Sequence, residues 1–128
     1  MNTALFGISL VSLFSAIAQV ESSGGLTSDN VYQISEEYIA DVNGGIGRER
    51  AKYSLRDRLD RDASERIMIE YWAVHGLAYY RKTGKTPSAE VLARIHNGGP
   101  NGWRKPATLK YWHRVKAAMD AAEGEPRK

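Results

Sequence analysis

The chain has no cysteine, which excludes disulfide scaffolds and thiolate zinc sites and leaves the redox compartment open. No phosphate-binding loop, dinucleotide fingerprint, zinc-ligand spacing or nucleophile elbow is present. Internal repeats and low-complexity segments are also missing. The one long apolar stretch, residues 4 to 18, is broken by Gly7 and several serines and is too short to span a bilayer stably. No cofactor and no metal ion is implied by these residues.

What remains is an ordinary globular composition. The 128 residues are 42% apolar and 26% charged, enough for one domain with a real core over residues 1 to 122 and a flexible tail from 123 to 128. A net charge of +3 tilts the expected partner towards an anion: nucleic acid, a membrane surface or an anionic polymer such as bacterial cell wall.

One stretch draws the chemistry to itself. Leu10, Phe14, Ile17, Ala18 and Glu21 follow at three- and four-residue steps, so a helix puts them on one face, and Glu21 closes an otherwise apolar stripe. Ser22-Ser-Gly-Gly25 then ends the helix and lets backbone approach whatever lies before the acid. A half-desolvated carboxyl in that position favours its protonated form, as a general acid requires. The plainer reading is a helix-terminal glutamate that swings into solvent. Residues 4 to 18 also carry an alternative, a signal-like segment ending in Ala16-Ile-Ala18; the unbroken spacing into Glu21 favours the first helix of the fold.

Further along, Ser35 caps a helix over Tyr38, Ile39 and Val42, which Asn43-Gly-Gly45 stops. Residues 46 to 62 alternate charges of both signs around Tyr53, Leu55 and Leu59, the pattern of a solvated face more than of a nucleic-acid patch. Asp62-Ala-Ser-Glu65 resembles a capping box opening the central helix, whose stripe runs through Ile67, Met68, Tyr71, Trp72, His75 and Tyr79 to Gly84. His75 is expected to be a satisfied core histidine, since no second ligand stands four residues away. Thr86 as cap and Pro87 at the first position open a helix burying Val91, Leu92 and Ile95. The loop Asn97-Gly-Gly-Pro-Asn-Gly-Trp103 cannot be regular structure; it suits a ligand contact or a plain turn equally. A last helix runs from Thr108 to about Ala122 through Tyr111, Val115 and Met119. The expected class is therefore mainly α, about five helices with glycine-rich loops.

Two segments resemble a known family. Val20-Glu-Ser-Ser-Gly-Gly25 with Tyr32-Gln-Ile34, and Ala93-Arg-Ile-His-Asn-Gly-Gly-Pro-Asn-Gly-Trp103 running into Thr108-Leu-Lys-Tyr-Trp-His-Arg-Val115, are similar to the lysozyme superfamily, in particular lytic transglycosylases and invertebrate-type lysozymes of a cysteine-free bacterial and phage branch. The resemblance spans most of residues 10 to 119. It implies a lysozyme-like helical domain with a reduced or absent β lobe, acting on peptidoglycan between N-acetylmuramic acid and N-acetylglucosamine.

By the same resemblance Glu21 matches the catalytic acid and Ser22 the residue beside it. Tyr32, Gln33 and Ile34 match the segment lining the glycan groove, and Asn97, Gly98 and Gly99 the loop contacting the sugar at the scissile bond. Tyr111 matches a tyrosine that orients the glutamate. The chain departs from the family between Gly25 and Tyr32, where six residues replace a longer β-rich insert, leaving Asp29 as the sole acid in the place of a second catalytic carboxylate. The competing functions are a glycan-cleaving enzyme with Glu21 as general acid/base, of lytic transglycosylase or lysozyme type, a non-catalytic wall-binding module, and a basic nucleic-acid-binding domain. The resemblance favours peptidoglycan strands as partner, with no nucleic acid, no membrane span and a monomer assumed. The location is the cell envelope if the chain is exported, otherwise the cytoplasm before release.

Overall fold

The computed structural model describes residues 4–44 and 52–124, and these form a mainly α domain of five helices with one two-stranded ladder. The helices are α1 (Leu10–Ser22), α2 (Glu36–Gly44), α3 (Arg61–Thr83), α4 (Ala89–Gly98) and α5 (Ala107–Gly124). The ladder pairs β1 (Ala4–Leu5) with β2 (Ile8–Ser9) antiparallel. Its turn, Phe6-Gly7, has positive φ at both residues (52° and 77°), the tight connection that matches strand twist. The first helix therefore starts at Leu10, and the apolar residues from 4 to 9 belong to the hairpin, because Gly7 in a left-handed conformation cannot continue a helix at no cost.

Apolar spacing drives the packing. Leu10, Leu13 and Ile17 of α1 are fully enclosed, and Phe14 stacks on Trp72 of α3 with ring centroids 5.7 Å apart. Each such aliphatic side chain contributes roughly 1.5–3 kcal/mol on burial, so this one face accounts for much of what holds α1 in place. Trp72 is fully buried and satisfies its indole by donating Nε1–H to the Leu92 carbonyl at 2.8 Å, which joins α3 to α4. Tyr111 and Val115 of α5 belong to the same core.

Two helix starts differ from the sequence expectation. Asp60, not Asp62, caps α3, accepting from Ala63 N at 2.8 Å. Ser88, not Thr86, caps α4, accepting from Val91 N at 3.2 Å. Pro87 is buried instead against α3, its ring 3.4 Å from where a Cβ on Gly76 would stand. Asp57 Oδ2 reaches back to accept from Ser54 N at 2.8 Å, at the start of a 3-10 segment over Leu55–Leu59. Expectations over residues 45 to 51 and 125 to 128 lie outside the described residues, and α5 continues through Gly124 into what was expected to be tail. Among the described residues no helix is long and apolar enough to cross a membrane.

Candidate active site

Glu21 occupies the last turn of α1, with its side chain 18% exposed. Tyr111 of α5 donates its hydroxyl proton to Glu21 Oε2 at 3.0 Å, and His96 Nε2 of α4 lies 3.5 Å from the same oxygen. Among the described residues both contacts fall on Oε2, which leaves Oε1 for an incoming group. Burial, then the negative charge of Glu21, pushes the Tyr111 phenol far above its ordinary range, while Arg114 works in the opposite direction. Tyr111 therefore remains a donor throughout physiological pH.

His96 is almost fully enclosed, its side chain 2% exposed, and both ring nitrogens are engaged. Nε2 lies 2.9 Å from the Tyr32 carbonyl, which can only accept, so Nε2 carries a proton. Nδ1 lies 3.0 Å from the Tyr38 hydroxyl, which can then donate to it. Burial raises the Tyr38 phenol well above the ordinary tyrosine value, with smaller effects from Tyr71, Tyr111, Asp41 and Glu21, which keeps that hydroxyl a donor. The imidazole is thus a fixed wall beside Glu21.

The chain after Glu21 is held by Ser22. Its hydroxyl donates to the Val31 carbonyl at 2.6 Å and accepts from Gly25 N at 3.0 Å, so both ends of the short link close onto the helix terminus. Ser23 takes a left-handed conformation (φ 51°), and Gly24 and Gly25 follow with positive φ. Asn30 braces the far end, bonding both N and O of Ile34 at 2.9 Å.

The structure thus distributes the expected site residues unequally. Glu21 and Tyr111 come together. Ser22, Tyr32 and Ile34 are fully enclosed, so their side chains offer no surface to a sugar; Ser22 is committed to the link, and Tyr32 hydrogen-bonds Glu65. Burial and that carboxylate push the Tyr32 phenol up. Gln33 is exposed, with Nε2 donating to the Asn30 carbonyl at 2.8 Å. Asp29 is exposed on the link and is not among the described residues that touch Glu21.

Asn97, Gly98 and Gly99 end α4 beside His96. Asn97 is exposed and, with Gly99, Tyr38, Tyr71, Asp41 and His96, lines a groove of about 280 Å³. Glu21 does not itself line this groove and reaches it through His96; the larger cavities, of about 500 and 760 Å³, are lined by neither His96 nor Asn97. The loop is tightly built: a Cβ on Gly98 would stand 2.5 Å from Thr108 Cγ2, and one on Gly102 only 2.1 Å from the Arg94 carbonyl oxygen.

Sequence reasoning missed His96, Tyr38 and Asp41. The partners of His96 lie 58 and 64 residues away, and no local spacing announces them. His75 is satisfied, as expected, although its partner is Asp41 of α2, at 3.0 Å.

The chain is 55% identical over 98 residues to "Invertebrate-type lysozyme 6" of Caenorhabditis elegans, a match covering 72% of this chain and 67% of that protein. It is 53% identical over 38 residues to a lysozyme of the oyster Ostrea edulis and 54% over 39 residues to lysozyme 1 of Crassostrea virginica. Those shorter matches cover 30% of this chain, and only 28% and 21% of the two oyster proteins. No family model matches the chain. A match at 55% identity that covers two thirds of the nematode protein shows the kinship: the chain belongs to the lysozyme superfamily, and its homologues are invertebrate-type lysozymes.

Proposed function

We propose that the chain cleaves the glycan strand of peptidoglycan between N-acetylmuramic acid and N-acetylglucosamine, with Glu21 as general acid and then base. The observation that carries this reading is the Glu21 carboxyl held on one oxygen by Tyr111 at 3.0 Å while its other oxygen is left for substrate. The homologues, whose names are those of lysozymes, support it.

In the first step the Glu21 proton passes to the glycosidic oxygen, the C1–O bond breaks, and the leaving sugar departs as an alcohol. Tyr111 stabilises the carboxylate formed. Glu21 then accepts the proton of the nucleophile that attacks C1. With Asp29 exposed on a six-residue link, the nucleophile favoured here is the sugar's own hydroxyl, which closes an anhydro ring without a second carboxylate.

Digestion of purified sacculi followed by end-group analysis tests the scheme. Anhydro ends are expected from wild type. Reducing ends would replace the ring-closing step by hydrolysis and require a second acid; intact sacculi would remove the catalytic reading. A second reading, a glycan-binding module without turnover, is motivated by the same short link. It predicts co-sedimentation with sacculi and no fragments.

A further inference from the structure

His96 lies against Glu21, and the cleavage scheme gives it no part. It follows Leu92 by one turn on the enclosed face of α4, where Val91, Leu92 and Ile95 are also buried, so the helix carries an imidazole into the core. A polar ring placed there is tolerated only when its nitrogens are bonded. Segments remote in sequence supply the partners: the Tyr38 hydroxyl of α2 at Nδ1 and, at Nε2, both the Tyr32 carbonyl and Glu21 Oε2 of α1.

These partners decide which nitrogen carries the hydrogen. Tyr38 is not free to swing away, because its ring stacks on Tyr71 with centroids 3.7 Å apart and meets His96 edge-on at 5.3 Å. Its hydroxyl therefore stays 3.0 Å from Nδ1 and donates to the lone pair there. The opposite tautomer would turn the Nε2 lone pair towards two acceptors at once, the Tyr32 carbonyl at 2.9 Å and Glu21 Oε2 at 3.5 Å. Only the Nε2–H form makes all of these contacts attractive.

The consequence reaches the acid. Among the described residues, Oε2 of Glu21 faces two donors, the Tyr111 hydroxyl at 3.0 Å and the N–H of His96. The acid's own hydrogen at Oε2 would be crowded against both, so it belongs on Oε1. At 3.5 Å the His96 contact is at the outer limit of a hydrogen bond, and the Nε2–H is given mainly to the nearer Tyr32 carbonyl. Once Oε1 gives its proton to the glycosidic oxygen, negative charge spreads over both carboxylate oxygens and draws the shared Nε2–H further towards Oε2. The donor is in place before the charge arrives, so the charge is met without reorganisation.

We propose that His96 is a positioning residue for Glu21: Tyr38 holds its ring in the Nε2–H tautomer, and that N–H keeps the acid's proton on Oε1 and steadies the carboxylate left when the proton departs. The proposal rests on reading Glu21 as the acid. His96 and Tyr38 give hydrogen bonds only and lose no proton in the step; the proton that moves is the one on Glu21. Through this pair α2 bears on an acid that α1 carries.

Two readouts separate this role from packing. Heteronuclear NMR of the histidine ring nitrogens, which needs no turnover, is expected to show His96 in the Nε2–H tautomer, with its Nε2 signal moving in Glu21→Gln and its Nδ1 signal moving in Tyr38→Phe. In parallel, kcat and KM are measured on solubilised glycan. Tyr38→Phe keeps the stacked ring and removes the donor, so kcat is expected to fall about fivefold or more with KM within about twofold. His96→Leu should lower kcat about tenfold or more, and His96→Gln, whose amide retains an N–H, should recover at least about threefold of that loss. Thermal melts identify which variants fold, and Tyr38→Phe together with the wild-type NMR decides the matter if neither His96 variant does. Wild-type turnover with an unchanged kcat in Tyr38→Phe, a loss confined to KM, or His96 in the Nδ1–H tautomer overturns the positioning role alone. No wild-type turnover with the His96 signals as expected, including the response to Glu21→Gln, refutes Glu21 as the acid and leaves the hold of the ring on that carboxyl standing.

Discussion

Glu21 accepts a hydrogen bond from the Tyr111 phenol at 3.0 Å and has His96 Nε2 3.5 Å from the same oxygen. Tyr111→Phe keeps the buried ring and removes the donor, so turnover is expected to fall about tenfold or more with little change in KM, read by steady-state release from solubilised glycan. Ser22 acts at one remove. Ser22→Ala leaves the Val31 carbonyl and Gly25 N without their partner, at a cost of about 1–3 kcal/mol in urea unfolding, and loosens the link beside the acid. The position of Glu21 was legible in the sequence because a helix repeats every 3.6 residues and the stripe from Leu10 names its own inner face. The surroundings of Glu21 were not legible in the same way. Asp41 and His75 come from different helices 34 residues apart, and only tertiary packing makes a pair of them.

At the scale of the element, helix existence was plain and helix starts were not. Both α3 and α4 are preceded by more than one residue able to cap. Asp60 and Ser88 win because their side chains reach the third amide of the turn that packing selects. Pro87 reads locally as a first helical residue, yet the apolar contact with α3 claims it. The hairpin before α1 was hidden in a run of apolar residues, and only the positive φ of Phe6 and Gly7 distinguishes it. The loop after α4 is the most constrained element near the site. Gly102→Ala would drive a methyl group into the Arg94 carbonyl, a contact of 2.1 Å with backbone that cannot rotate away. We expect a loss of about 2 kcal/mol or more, seen as a fall of at least about 5 °C in melting temperature. Glycan binding should fall with it, since Asn97 and Gly99 belong to the same loop.

For the whole molecule, the tyrosines set a ceiling on pH stability. Tyr71 is pushed up to about 12, chiefly by burial and then by the Asp41 charge, and Tyr38 and Tyr111 are raised further for related reasons. A phenol whose folded value lies above the ordinary 10 stabilises the fold fully below pH 10. That contribution is lost as the pH rises towards the folded value, because the unfolded chain ionises first. Urea midpoints should therefore be flat with respect to these groups up to about pH 10 and fall steeply above it. Tyr71→Phe should remove part of that fall; an unchanged alkaline slope would count against the burial of this ring.

In the molecule as a whole the helix that carries Glu21 is followed by a six-residue link pinned by Ser22 and Asn30. Whether that arrangement performs chemistry turns on one carboxyl. The direct measurement is muropeptide release from purified sacculi by wild type and by Glu21→Gln, with binding to the same sacculi measured in parallel. The account predicts soluble fragments from wild type, at least about a hundredfold less from the variant, and equal binding by both. Equal release by the two proteins, or none by wild type, would contradict it.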